Sequence, residues 1–243
     1  MTKQRLDNLI VSKGLATTRS QAENLIKLGE VQVNGVIVKK PGYFVGEDIE
    51  IKITANEQYV SRAALKLASV AEMLNIDFRD KTVLDVGSST GGFTEFALKQ
   101  GAEKVIAVEV GTNQMHPSLR DNPQIELHEK TDIRDFVTET NRKKVDLVVA
   151  DVSFISLQEI LPSVAKLCDY KTDIYVMVKP QFEAANSNFK HKGVIKNDKI
   201  RRVILKDFEL WAKSTFIIID KADSHVSGSK GNTERFYHLK LSR

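Results

Sequence analysis

The chain has 243 residues, 42% hydrophobic and 28% charged, with a formal net charge of +4; one large domain plus a small one fits that length, and the charge permits a polyanionic partner without requiring one. The only cysteine, Cys168, excludes internal disulfides and cysteine-built metal sites. No signal segment and no apolar stretch of membrane-spanning length is evident, so we expect a cytoplasmic protein with no metal and no membrane partner.

Residues 1–54 predict two helices followed by a small antiparallel sheet. Leu6, Leu9 and Ile10 have helical spacing until Gly14 ends the run. Thr17 or Thr18 can cap a second helix carrying Ala22, Leu25, Ile26 and Leu28, closed by Gly29. Residues 31–38 alternate with period two around Asn34-Gly35, a hairpin signal, and Ile49, Ile51 and Ile53 make a last alternating strand after the Pro41-Gly42 turn. Residues 55–60 read as a linker. From 61 to 243 strands and helices alternate. Expected strands are 82–86, 104–110, 124–129, 145–151, 173–179, 215–222 and 233–241; expected helices include 61–74, 95–100, 157–168 and 199–213. This is the pattern of an α/β, Rossmann-like domain with a seven-stranded, mostly parallel sheet and the last strand antiparallel.

The first strand runs into Asp85-Val86-Gly87-Ser88-Ser89-Thr90-Gly91-Gly92-Phe93. Glycines at the carboxyl end of a strand let the backbone approach a ligand closely. A dinucleotide fingerprint fails because position 89 is serine. A phosphate loop fails because Phe93 stands where its lysine must be. The remaining reading, an acidic-x-G-x-x-x-G-G loop, resembles motif I of adenosylmethionine-dependent methyltransferases. Glu109, ending the second strand, can accept hydrogen bonds from both ribose hydroxyls of an adenosine, and Asp132, after the third, can meet an adenine amino group.

Methyl transfer from a sulfonium needs alignment and an activated nucleophile. A ribose hydroxyl is a weak acid, so it needs a base or cationic neighbours. Two adjacent apolar strands each end in one charge: Asp151 closes residues 147–151, and Lys179, followed by Pro180, closes 176–179. Lys66 lies on the 61–74 helix and Glu234 near the start of the final strand. For each alone, a solvated surface charge is the better reading.

Together, Tyr59–Leu67 with its Ser61-Arg62-Ala63-Ala64-Leu65-Lys66 core, Asp85–Phe93, Asp151-Val152-Ser153-Phe154-Ile155-Ser156, Val178-Lys179-Pro180-Gln181-Phe182-Glu183 and Gly231-Asn232-Thr233-Glu234 resemble the FtsJ/RrmJ-type ribose 2′-O-methyltransferases, within them the TlyA (hemolysin A) family. The resemblance implies adenosylmethionine as cofactor, held by Asp85, Gly87, Ser88, Ser89, Thr90, Gly91, Gly92, Phe93, Glu109, Asp132 and Asp151. It also implies a catalytic Lys66, Asp151, Lys179, Glu234 set, with Lys179 as base or as oxyanion stabiliser. The N-terminal pattern, Arg5-Leu6-Asp7 through Gly14, Thr18-Arg19-Ser20-Gln21-Ala22, Asn34-Gly35 and Pro41, resembles the S4 RNA-binding domain. That likeness implies phosphate contacts from Arg5, Arg19, Lys27, Lys39, Lys40 and Arg62, with ribosomal RNA or ribosomal subunits as partner. Three other readings stand against this one. A cytolysin lacks a long apolar span here; a binding-only protein has no need of Lys66, Asp151 and Lys179; a base-nitrogen methyltransferase commonly needs prolines that Asp151-Val152-Ser153-Phe154 lacks.

Overall fold

A computed structural model describes residues 3–16, 19–54, 59–137, 145–187, 193–195, 197–226 and 231–242. The expected capping threonines Thr17 and Thr18, linker residues 55–58 and the Lys27 and Leu28 side chains lie outside the described residues. The chain divides into two compact units, Met1–Arg62 and Ala63–Arg243.

The first unit contains β1 (Lys3–Arg5), α1 (Leu6–Ser12), α2 (Arg19–Leu28), β2 (Val31–Val33), β3 (Val36–Ile37), β4 (Phe44–Gly46) and β5 (Ile51–Ile53). Asn34 (φ 49°) and Gly35 (φ 80°) both take the left-handed conformation that a tight hairpin turn requires, and β2 and β3 pair antiparallel across them. On its other side β2 pairs with β5. The ribbon of β1 with β4 was not expected from the sequence, because three-residue strands are too short to show a period. Leu6, Leu9, Ile10, Ala22, Ile26, Val31 and Val45 form the core.

In the second unit the sheet comprises β6 (Thr82–Val86), β7 (Lys104–Val108), β8 (Ile125–His128), β9 (Leu147–Ala150), β10 (Asp173–Val178), β11 (Phe216–Asp223) and β12 (Arg235–Leu241), in the order β11-β12-β10-β9-β6-β7-β8. Only β12 runs against its neighbours. Successive strand residues face opposite sides of a sheet, yet Val83, Leu84, Asp85 and Val86 are all buried, as are Leu147, Val148, Val149 and Ala150. Both faces are therefore covered. Leu84, Val148 and Val176 pack with α6 (Ile133–Phe136), α7 (Leu157–Ala165) and α9 (Asp198–Ala212). On the opposite face Phe93 of α4 (Gly92–Lys99) meets Phe236 of β12 at a 6.0 Å ring separation. The helices α3 (Arg62–Ala71), α5 (Pro117–Arg120) and α8 (Pro180–Glu183) complete the element order, with a 3₁₀ turn at Ala184–Asn186.

Several expected strands overran at their carboxyl ends, and the cause is local. β7 stops at Val108 because the Glu109 carboxylate accepts a hydrogen bond from the Gly111 amide at 2.7 Å, which folds the chain back. β10 stops at Val178 because Pro180 begins α8 two residues on. The expected 61–74 and 157–168 helices are shorter, ending at Ala71 and Ala165. Among the described residues no helix is long and apolar enough to cross a membrane.

Candidate active site

β6 has β7 on one side and β9 on the other, so its carboxyl end is the switch point where ligands bind in sheets of this kind. The turn after it is built for close approach. Gly87 has φ +80°, and a side chain there would bring a Cβ to 2.9 Å from the Asp151 carbonyl oxygen. Gly91 has φ +90°, and a Cβ there would overlap Met115 and Leu119. Ser89 between them is also left-handed, at φ 47°. A cavity of about 360 Å³ opens beside this turn, a size suited to a small cofactor, and Gly87, Ser89, Glu109, Asp132, Asp151 and Phe154 are among the residues lining it.

Glu109 is buried and accepts the Ser89 amide at 2.9 Å on one oxygen and the Gly111 amide on the other. Each oxygen keeps a second acceptor position. Asp132 caps α6 through the Arg134 amide at 2.8 Å and also receives the Arg134 guanidinium, which holds its carboxyl below the usual range. Its structural duty is thus explicit, although it still faces the cavity. Asp85, Ser88, Thr90, Gly91, Gly92 and Phe93 are not among the lining residues: Gly91 shapes the turn, and Phe93 is buried against Phe236.

Asp85 is fully buried. One oxygen accepts the Thr94 hydroxyl at 2.6 Å; the other, like the Ser88 hydroxyl, has no hydrogen-bond partner among the described residues. Burial pushes the Asp85 carboxyl up to about 7, with the charges of Asp151 and Glu109 adding to the rise and Thr94 opposing it. The Glu109 and Asp132 carboxylates in the cavity wall beside a glycine turn fit a ligand that brings hydroxyl and amino donors, as adenosylmethionine does.

The four expected catalytic residues form two ion pairs. Lys179 Nζ lies 2.5 Å from Asp151 Oδ1 and donates to Ser153 Oγ at 2.8 Å; Lys66 Nζ lies 2.5 Å from Glu234 Oε2. Lys66, Lys179 and Glu234 are buried. Because β12 is antiparallel, its start lies beside the end of β10. The last paired residues are Val178 and Arg235, and one step beyond them stand Lys179 and Glu234. Asp151 both lines the cavity and holds Lys179.

Ser153, Thr94 and Glu183 contribute contacts that sequence reasoning gave no role, although Ser153 and Glu183 lie inside the distinctive motifs. Glu183, buried on α8, accepts the Ser156 hydroxyl at 2.5 Å and the Leu157 amide at 2.8 Å, clamping the Lys179 turn to the start of α7. Burial raises its carboxyl above the usual range. In the first unit, Asp7 is fully buried and binds both Arg5, at 2.6 Å, and Arg19, at 3.1 Å. The Arg5 guanidinium is the largest cause that holds its carboxyl down at about 2. Two of the expected phosphate contacts therefore also have a structural acid. Lys39 and Lys40 are exposed and Arg62 is half-buried.

The FtsJ-like methyltransferase family matches residues 59–241 and the S4 domain residues 4–51. The chain is 39% identical to the 23S rRNA (cytidine-2′-O)-methyltransferase TlyA of Campylobacter jejuni, over 95% of this chain and 97% of that one. It is 35% identical to the 16S/23S rRNA (cytidine-2′-O)-methyltransferase TlyA of Mycobacterium tuberculosis, covering 98% and 90%. A solved structure from Streptococcus thermophilus, described as a hemolysin, is similar with a TM-score of 0.73 and 33% identity, covering all of this chain and 90% of that one.

Proposed function

The chain belongs to the FtsJ-like methyltransferase family and carries an S4 domain ahead of the enzyme domain, and on that premise we propose that it methylates a ribose 2′-hydroxyl, that of a cytidine in 16S or 23S ribosomal RNA, in the cytoplasm. The observation that carries this reading is the double position of Asp151, in the wall of the cavity and at 2.5 Å from a buried lysine. A ligand in the cavity and an acceptor at Lys179 are then neighbours.

Adenosylmethionine, when bound, supplies an electrophilic methyl group on its sulfonium. Glu109 holds its ribose hydroxyls, the Gly87–Gly91 turn admits it closely, and Asp85, buried behind that turn and bonded to Thr94, supports the binding loop. Lys179 and Asp151 act on the acceptor hydroxyl. Either the amine takes the hydroxyl proton, or the ammonium stays charged and steadies the developing oxyanion. Lys66 and Glu234, paired at the neighbouring strand end, fix the ribose against that pair. Exposed Lys39 and Lys40 supply phosphate contacts, which orient RNA without reading its sequence.

The test is incubation of the purified chain with methyl-tritiated adenosylmethionine and unmodified ribosomal subunits. Label should enter RNA and protect the adjoining phosphodiester from alkali, as a ribose 2′-methyl does. A folded, cofactor-binding protein that labels neither subunit nor intact ribosomes would sink the ribosomal assignment.

A further inference from the structure

The β1–β4 ribbon has two unlike faces. Its register pairs Lys3 with Gly46, Gln4 with Val45 and Arg5 with Phe44. Directly paired residues in a sheet share a face and alternate along the strand. Gln4 and Val45 therefore share one face, and Val45 is 5% exposed within the core of the unit. The other face carries Lys3, Arg5, Phe44 and Gly46. Phe44 is 59% exposed and its chain neighbour Tyr43 47%, so two aromatic side chains stand uncovered at this ribbon.

The cation beside this ring is held in place. Arg5 is fixed through two nitrogens to buried Asp7, while its side chain stays 37% exposed. It lies along Gly42, where a Cβ would come within 3.3 Å of the guanidinium. Gly42 belongs to a turn closed by the Tyr43 amide donating to the Lys40 carbonyl at 3.0 Å, which sets exposed Lys40 and half-exposed Tyr43 next to the ribbon. Gly46, opposite Lys3, adds no side chain to obstruct a flat ligand.

We infer that this face is a stacking platform for an unpaired RNA base, with Phe44 taking the base and Lys3, Arg5 and Lys40 taking the flanking phosphates. The chemistry decides the occupant. An exposed ring with Arg5 paired opposite it and Lys3 on the same face matches a π-face carried on a polyanion, which is how single-stranded nucleic acid is held, whereas a duplex offers phosphates and no free base. Asp7 is then a positioning residue, holding the Arg5 guanidinium at the ribbon. This inference rests on the RNA-modifying reading above, but assigns to the first unit a preference for unpaired RNA that phosphate contacts alone do not confer.

The experiment uses the full chain with a twelve-nucleotide single-stranded RNA carrying one 2-aminopurine, and a duplex of equal length. Phe44→Leu keeps an apolar side chain at an exposed position and removes the ring. It should weaken single-strand binding about tenfold, the scale of one lost base–aromatic stack, leave duplex binding unchanged, and abolish stacking-induced quenching of the 2-aminopurine. Phe44→Trp should restore both affinity and quenching. Single-strand affinity and quenching equal to the wild type in Phe44→Leu overturns the inference, as does an equal loss on both RNAs without rescue by tryptophan. Weakened binding to whole ribosomal subunits with oligonucleotide binding intact also overturns it, in favour of a protein surface. If Phe44→Leu is indifferent while the wild type still labels ribosomal RNA, only the platform fails; if the wild type binds and labels no RNA, the functional reading fails with it.

Discussion

Lys179 Nζ sits between Asp151 Oδ1 and Ser153 Oγ, so alanine there removes a cation and leaves the Asp151 carboxylate in the cavity wall without its partner. Lys179→Ala is expected to lower methyl transfer at least about 100-fold, the lower range for loss of an acid–base group, with adenosylmethionine affinity within a few-fold of the wild type by calorimetry. Lys179→Arg divides the two roles left open for this residue. Arginine stays charged, so measurable activity in that variant points to oxyanion stabilisation and its absence to a proton acceptor. Asp85 makes a prediction of a different kind. Its carboxyl ordinarily titrates at 3.8 and is pushed up to about 7 by burial, so between those values the folded protein holds a proton that the unfolded chain has released. Stability contributed by this group is therefore greatest at low pH, declines as pH rises from about 4 to about 7, and is level beyond. Asp85→Asn should flatten that decline in urea midpoints measured from pH 5 to pH 8; an identical slope in both proteins would show that the decline has another source. Asp7 has the opposite sign. With its carboxyl held down at about 2, its stabilisation is complete above 3.8 and is lost as pH falls toward 2.

Two elements have the duty of holding the charged strand ends in place. α8 begins immediately after Lys179, and Glu183 at its last position ties it to Ser156 and Leu157 at the start of α7. Glu183→Ala leaves a buried hydroxyl and amide without their acceptor and should cost about 1–3 kcal/mol in a urea titration, with kcat falling and cofactor affinity kept. An unchanged kcat in a destabilised variant would make Glu183 purely structural. At the start of β12, Arg201 from α9 donates to the Thr233 carbonyl at 3.1 Å and to Asp223, which also receives Arg235. Asn232 accepts the Ile195 amide at 2.9 Å. These bonds pin the residues just before Glu234, so Arg201→Met should reduce kcat more than it raises KM for RNA. The types and order of most elements in the second unit were legible, though not their carboxyl ends, because short continuous apolar runs bounded by turn residues alternate with amphipathic stretches such as the fifteen-residue α9. The short pieces α5, α6, α8, β1 and β4, each of three or four residues, carry none.

As a whole the molecule joins a small S4-domain unit to a larger FtsJ-like enzyme unit, each with its own core. A fragment of residues 59–243 should accordingly fold and bind adenosylmethionine as the full chain does, while RNA labelling falls at least about tenfold at limiting RNA, the cost of losing the first unit's phosphate contacts. Equal labelling by fragment and full chain would remove the first unit from substrate capture. RNA affinity should drop with added salt at a slope that counts the phosphates met by exposed cations such as Lys39 and Lys40, and Lys39→Ala should lower that slope by about one contact.

What the sequence determined by itself is local. Glycine spacing at Gly87, Gly91 and Gly92, the failed alternatives at Ser89 and Phe93, and single charges ending apolar strands are properties of consecutive residues, and they specify the loop, the sheet and the family resemblance. What tertiary structure decided is pairing between distant residues. The division of four charged side chains into Lys179–Asp151 and Lys66–Glu234, the acid shared by Arg5 and Arg19, and the raised carboxyl of Asp85 all depend on which strands lie side by side and how deeply they are buried. Charge pairing and desolvation act through space across separations of up to 168 residues in the chain, between Lys66 and Glu234, where sequence periodicity carries no record of distance.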